Sequence, residues 1–458
     1  MVTILPTIAQ CQDWWQLLLG RQLLQQELPE DLQEFLQEPT WHSWWPELVV
    51  TNGIEQNNSG EWFCQRCLMP VAPSQQLATG ALYCTACLAL GRVSQHDQLV
   101  SLPVDQAMAS ANPLTWSGKL TAQQAQVANA ILTQYCDNTV SAQLLWAVTG
   151  AGKTEMIFPI IAAALQGGQR VGLAAPRLDV CNELYPRLQQ AFGKTSLILL
   201  HGQQHQPYYQ AQLVVATTHQ LIRFKQAFDL LIIDEVDSFP FAGNPMLANA
   251  VNKALKVGGR RLYLSATPPA SLQRQSQQGK LPLHYLPRRF HGRNLPVPQI
   301  LITASFKKKG FSNRVQQLFR YLLAEKRRWL VFVPQAAQLP RYQSAWQLAF
   351  PQIAVATVHA KDPQRLAKVA AFRANHGTVL FTTTILERGV TFNNIDVVIL
   401  TADHQQFTAS NLVQIAGRAD RASGGPIGQV YFCCNFYTRA IQQACQQIKH
   451  LNHVSGGL

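Results

Sequence analysis

Ala147-Val-Thr-Gly-Ala-Gly-Lys-Thr154, followed 80 residues later by Asp234-Glu-Val-Asp237, decides the fold. The first stretch follows an apolar run, Leu144-Leu-Trp-Ala-Val148, and opens a segment that can be helical. Thr149, Gly150, Ala151 and Gly152 are small enough for backbone N–H groups to wrap a polyphosphate, and a helix N-terminus behind them favours anions. Lys153 can reach the β- and γ-phosphates, and the Thr154 hydroxyl can hold Mg²⁺. In the second stretch the apolar run Leu230-Leu-Ile-Ile233 delivers Asp234 and Glu235 to a strand end. One carboxylate can complete a metal shell and the other can polarise a water for attack on the γ-phosphate. The bland alternative is a turn beside an unrelated acid pair. Loop, acid pair and their order together point to NTP hydrolysis.

Strand-like apolar runs recur around these motifs at 144–148, 171–175, 213–216, 230–233 and 262–264, with helix-length segments between them. That alternation predicts a doubly wound, mainly parallel sheet. Pro159, early in the helix after the loop, is expected to kink it and leave the loop intact. The Pro- and Arg-rich stretch from Leu286 to Pro298 breaks the pattern. A second α/β pattern then runs through 330–333, 355–358, 379–381, 397–400 and 429–432. Its segment Gln414-Ile-Ala-Gly-Arg-Ala-Asp-Arg421 sets Gln414, Arg418 and Arg421 on one helix face. Arginines on a second lobe can meet charge developing on a γ-phosphate when a cleft closes. Ser265-Ala-Thr267 lies about 30 residues after the acid pair.

A chain of 458 residues calls for two to four domains. With 47% hydrophobic and 14% charged residues it is globular. No apolar run reaches membrane-spanning length, and the N-terminus lacks a signal-peptide pattern, so a cytosolic protein is expected. The net charge of +13 is uneven: residues 1–60 carry eight acids and one base, Arg21, and the remainder carries +20. From Ser238 to Ala324 there is no acid but there are 14 Lys or Arg, the footprint of a phosphate-backbone binder rather than a mixed solvated face. Residues 1–55 read as an acidic helical segment whose Trp14, Trp15, Trp41, Trp44 and Trp45 form either a small core or a docking surface. Cys64-Gln-Arg-Cys67 and Cys84-Thr-Ala-Cys87, 16 residues apart, have the spacing of a structural Zn²⁺ site. The other six cysteines lack ligand spacing.

The series of motifs resembles superfamily 2 helicases over roughly residues 115–440. That resemblance implies two tandem RecA-like lobes, parallel sheets flanked by helices, preceded by the helical segment and the small four-cysteine zinc module. It implies an adenine-side role for Gln124, Mg²⁺ binding by Asp234, a general base in Glu235, and coupling of the ATP site to the nucleic-acid face by Asp237, Ser265 and Thr267. Arg418 and Arg421 would be arginine fingers alongside Gln414, Gly389 would touch the nucleotide, and Thr391 the strand. The nucleic-acid face would carry Pro176, Arg177, Thr217, Thr218, His219, Arg223, Thr382 and Thr383, whose loops can bind phosphates without reading sequence.

The upstream cysteines, together with Asp234-Glu-Val-Asp-Ser-Phe-Pro240 and Arg289-Phe-His-Gly-Arg-Asn-Leu-Pro-Val-Pro298, give a narrower resemblance, to the ComFA family of late-competence proteins. It implies an ATPase stimulated by single-stranded DNA that drives uptake of transforming DNA, with ATP, Mg²⁺ and structural Zn²⁺ as cofactors. Implied partners are the ComF phosphoribosyltransferase-like protein, the uptake channel and a recombinase-loading protein, at the inner face of the cell membrane. The alternatives are a primosomal-restart-type helicase, whose cysteines lie instead in the second lobe's region, and an ATP-switched DNA-binding scaffold that does not translocate. The expected domains are the segment 1–55, a zinc module at 56–100, a first lobe at 101–275, a basic linker at 276–300 and a second lobe at 301–458.

Overall fold

The computed structural model describes residues 6–104, 109–137, 139–203, 207–307, 310–388, 390, 392–419 and 427–456. The chain divides into two compact units, Met1–Leu145 with Thr154–His284, and Trp146–Lys153 with Tyr285–Leu458.

The first unit opens with a helix, Ile8–Leu18, started by a reciprocal cap in which Thr7 and Gln10 satisfy each other's backbone N–H groups. The N-terminal segment is not wholly helical as expected. Gln22–Leu24 and Val49–Asn52 flank Gln98–Ser101 in a three-stranded antiparallel sheet, and Ile54–Gln56 pairs with Trp62–Cys64. The central strand Gln98–Ser101 comes from beyond the cysteines, so the acidic segment and the cysteine module close on one sheet. Trp14 and Trp41 are buried with Leu18, Leu32 and Val100, and Trp15 and Trp45 pack against them. The tryptophan cluster is therefore chiefly a core, and Trp44 alone of the five is well exposed, at 57%.

The main sheet of this unit has seven strands in the order Leu283–Leu286, Ala142–Ala147, Leu255–Ser265, Phe228–Ile233, Val171–Ala175, Leu213–Thr217, Leu197–Leu200. The pairings of its last five strands are parallel. Every residue of Val171–Ala175 and Leu213–Thr217 is buried, which is why these strands read as unbroken apolar runs. In the second unit six strands run Gln299–Ile302, Val430–Cys434, Ile395–Leu400, Arg328–Phe332, Val379–Thr382, Val355–Val358, all paired in parallel. The Pro- and Arg-rich stretch is more than a connector: it leaves an edge strand on each sheet, Leu283–Leu286 and Gln299–Ile302.

Pro159 does more than kink its helix. Lys153–Met156 and Phe158–Gln166 are separate helices, divided at Ile157, with Pro159 in the first turn of the second. A proline there removes an N–H that has no helical partner anyway, so the break relieves the clash a continuous helix would suffer.

Candidate nucleotide site and four-cysteine centre

The strand Ala142–Ala147 ends in the glycine loop. Gly150 has φ +84° and Gly152 φ +75°, backbone shapes that L side chains rarely adopt. A Cβ on Gly150 would also stand 3.3 Å from the Arg289 guanidinium. Lys153 folds back over its own loop and donates to the Ala147 carbonyl at 3.3 Å, while Thr149 and Ala151 are buried. Thr154 continues the short helix begun by Lys153. Gln124 lies in the first turn of Ala122–Cys136, buried, with its Oε1 accepting from the Thr121 N–H at 2.9 Å.

Asp234 and Glu235 follow the buried strand Phe228–Ile233. The Asp234 N–H donates to Ala174 O at 2.8 Å, which fixes it to the neighbouring strand, and its Oδ1 accepts from the Glu235 N–H at 2.8 Å. Glu235 adopts φ +52°, a left-handed turn that a residue with a long side chain holds only against strain. The Asp237 carboxylate is clasped from the next strand end: Ser265 Oγ donates at 2.6 Å and Thr267 Oγ1 at 2.7 Å. Ser265 Oγ in turn accepts from the Thr267 N–H at 2.9 Å. Asp237, two residues beyond the acid pair, is thus joined to the Ser-Ala-Thr segment by direct hydrogen bonds.

In the second unit the helix Ala409–Ala416 presents Gln414 to the loop, where its Oε1 accepts from Thr149 Oγ1 at 2.9 Å. Gly417 lies so near that a Cβ would meet the Thr149 Cβ at 2.8 Å. Arg418 is buried; its Nε donates to Glu387 O at 2.7 Å and its Nη1 to Val390 O. The Glu387 carboxylate accepts from Asn411 Nδ2 at 2.7 Å. Arg421, Gly389 and Thr391 lie outside the described residues. Sequence reasoning missed Arg289, which is buried and donates to Thr149 O at 3.2 Å, Gly417 O at 2.7 Å and Ala419 O at 2.9 Å. Its signal was the Arg-Arg pair inside the supposed linker.

The residues expected on a nucleic-acid face are less uniform. Arg177 is half-buried before the helix Leu178–Ala191, and Pro176 beside it is buried. Thr217 and Thr218 are buried. His219 is half-buried, and burial lowers its pKa. Thr382 is buried with its hydroxyl donating to Thr383 O at 3.2 Å, and Thr383 is half-buried. Arg223, expected on the same face, is paired with Glu27 at 2.7 Å and 3.1 Å. The acid-free stretch from 238 to 324 also spends charge internally. Lys253 and Arg289 are committed to carbonyl and amide oxygens, Lys256 pairs with Asp229 at 3.1 Å, and Arg260 stacks on Tyr135.

Cys64, Cys67, Cys84 and Cys87 are buried, with all four Sγ atoms within 4.8 Å of one another. Cys64 and Cys87 sulfurs are 3.9 Å apart, and those of Cys67 and Cys84 3.5 Å. Four sulfurs about 2.3 Å from a tetrahedral Zn²⁺ stand about 3.8 Å apart, so the donor set is compatible with zinc. Hydrogen bonds among the thiols drive Cys64 and Cys84 down and Cys67 and Cys87 up in pKa. The first unit's helix Pro245–Ala254 grips this centre from outside. Asn249 Nδ2 donates to Cys67 O at 3.3 Å and Leu68 O at 3.2 Å. The fully buried Lys253 ammonium donates to Arg66 O, to Gln22 Oε1 at 2.7 Å and to Ile222 O at 2.8 Å. Burial, reinforced by nearby Arg66, pushes its pKa down to about 7.

Residues 9–101 match the family described as the competence protein ComFA N-terminal domain. Residues 117–270 match the type III restriction enzyme res subunit, and residues 313–423 the helicase conserved C-terminal domain. The chain is 39% identical over 405 residues to a Streptococcus pneumoniae protein named competence protein ComFA, covering 88% of this chain and 93% of that one. It is 38% identical over 379 residues to a Bacillus subtilis protein of the same name, covering 82% and 81%. Among solved structures, the DEAD-box helicase Mss116 bound to ssRNA and UDP-BeF superposes with a TM-score of 0.54 at 18% identity, over 69% of this chain and 70% of that one. That likeness shows the fold: two RecA-like parallel-sheet lobes. No helix among the described residues is long and apolar enough to cross a membrane.

Proposed function

The chain belongs to the family of ComFA competence proteins, and on that premise we propose that it is an ATP-driven motor on single-stranded DNA. Its helicase-like ATPase architecture is the common ground of the matching families. The observation that carries the proposal is the Asp237 clasp, because it ties the turn that carries the acid pair, through Asp237 two residues on, to the neighbouring strand end. Gly150 to Gly152 would cradle the phosphates with backbone N–H groups, and Lys153 would meet the β- and γ-phosphates. Thr154 and Asp234 would hold Mg²⁺, which when bound neutralises charge on the phosphate oxygens. Glu235 would orient the attacking water. Arg418 and Arg421 would answer charge developing on the γ-phosphate, with Gln414 setting the loop through Thr149. Arg177, Thr217, His219 and Thr383 would contact the strand's backbone. The four cysteines would hold a structural Zn²⁺.

In this reading the motor draws transforming DNA inward at the inner face of the membrane, with the uptake channel, a ComF phosphoribosyltransferase-like protein and a recombinase-loading protein as partners. The test compares ATP hydrolysis with single-stranded DNA, duplex DNA and RNA, in the wild type and in Lys153→Ala and Glu235→Gln. Stimulation by single-stranded DNA, abolished in both variants, is expected. Near-wild-type turnover in either variant would sink the site, and equal stimulation by RNA would sink the DNA assignment. Triplex displacement separates movement from mere switching: robust stimulated hydrolysis without displacement would leave a scaffold instead of a motor.

A further inference from the structure

Arg21 is the only Lys or Arg among the first 60 residues, and it is half-buried. It lines a cleft of about 440 Å³ together with Glu27, His201, Tyr208, Gln220 and Arg223. The Arg21 guanidinium lies 4.2 Å over the Tyr208 ring, and its Nη1 donates to Leu17 O at 3.3 Å. Two more guanidiniums stand behind the lining. Arg170 donates to Tyr208 Oη at 2.6 Å, and the buried Arg66 shares Glu27 with Arg223. Among the described residues, Glu27 is the one carboxylate bonded to any of these four arginine side chains.

Positive charge outweighs negative around this half-buried cleft. Four guanidiniums lie in this region with one carboxylate bonded among them, and Arg21 Nε, Arg66 Nε and Arg170 Nη1 have no hydrogen-bond partner; of these three arginines Arg21 alone lines the cleft. Cationic charge without a matching carboxylate is costly, and Arg21 and Arg223 bring that excess to the lining of the cleft, where an anion would offset it. Burial pushes the Arg21 pKa down to about 10, which leaves it charged at neutral pH. Guanidinium groups favour phosphate because their planar donors match its oxygens. The cleft also lies where a strand would pass. Leu200, His201 and Gly202 end the strand Leu197–Leu200, and Gln220 and Arg223 belong to the turn Thr218–Arg223 after Leu213–Thr217. Those two strands are parallel neighbours, so the cleft opens at the carboxyl edge of the sheet.

We propose that this cleft is an accessory phosphate site, in which Arg21 of the N-terminal segment takes a backbone phosphate of the bound nucleic-acid strand. The proposal rests on the nucleic-acid reading above. It makes the N-terminal segment part of the grip on the strand.

The test uses the full-length, zinc-loaded protein and a fluorescein-labelled oligothymidylate, with affinity measured by anisotropy over a range of salt. Arg21→Gln is expected to weaken binding about tenfold at moderate salt, the worth of one charge-assisted contact. It should also lower the slope of log affinity against log salt by about 0.7, the loss of one phosphate contact on a single strand. Arg21→Lys should restore the slope. If Arg21→Gln loses its folded melting transition, Gln220→Glu decides, since it places a carboxylate in the same cleft beside Arg223; it should weaken binding in the same direction. Unchanged affinity and slope in a folded Arg21→Gln, or in Gln220→Glu, overturns the site. Titration with inorganic phosphate gives the other arm: Arg21-dependent phosphate binding with an unaltered DNA slope would mean a small-anion site and overturn the strand assignment. A wild type that binds no single-stranded DNA would instead defeat the function reading itself.

Discussion

A buried cluster beneath the seven-stranded sheet runs on into the four-cysteine centre, whereas a buried cluster beneath the six-stranded sheet is built from that unit's own strands and helices. In the first, Cys64, Cys67, Cys84 and Cys87 belong to one buried cluster with Phe224, Leu231, Leu247 and Val251. Its seam is stitched by polar contacts, with Lys253 and Asn249 on the knuckle carbonyls and Glu27 between Arg66 and Arg223. In the second, the buried cluster draws only on residues from Phe311 onward and is rich in rings. Phe319 and Trp346 meet edge to face at 5.3 Å, and Trp329 and Trp346 at 5.8 Å. The same sheet type has thus been stabilised in two ways. One borrows order from a four-cysteine centre and an appended segment, and the other supplies its own through large aromatic surfaces.

The comparison can be broken by removing the borrowed order. Cys64→Ser with Cys67→Ser should release about one zinc per chain and melt the first unit at a much lower temperature. The effect should be the largest of this set, because metal binding and folding energy are the same quantity in such centres. Calorimetry and zinc analysis check it. An unchanged melting profile would show that the cysteines add nothing to that core. The complementary change, Trp346→Ala, should cost about 3–5 kcal/mol in the second unit's transition and leave zinc content untouched. A smaller change sharpens the seam. Lys253→Met leaves the acceptors Gln22 Oε1, Arg66 O and Ile222 O without their donor, and should cost about 1–3 kcal/mol by denaturant unfolding. A gain in stability would mean that the buried ammonium's desolvation outweighs its three hydrogen bonds.

Much of the sheet pattern could be read in advance, because strands buried on both faces leave continuous apolar runs such as Val171–Ala175 and Leu230–Ile233. Leu197–Leu200, Leu283–Leu286 and Gln299–Ile302 escaped notice. All three are four-residue strands at sheet edges, and two flank the stretch where prolines and arginines dominated the reading. The cysteine spacing was legible because ligand geometry constrains it directly. Charge was legible only as a sum. Nothing in the composition shows that Arg223 is answered by Glu27, nearly 200 residues earlier, or that Lys253 turns inward. For the same reason Arg21 read as a stray base in an acidic segment, since its cleft is made from strand ends far along the chain.

Glu235, the proposed base, sits at φ +52°, where glycine would be at ease and a long side chain is not. Selection for thermal robustness and selection for turnover therefore pull this position in opposite directions. A library sorted only for folded, soluble protein would enrich glycine at the very residue that the proposed chemistry requires to be glutamate.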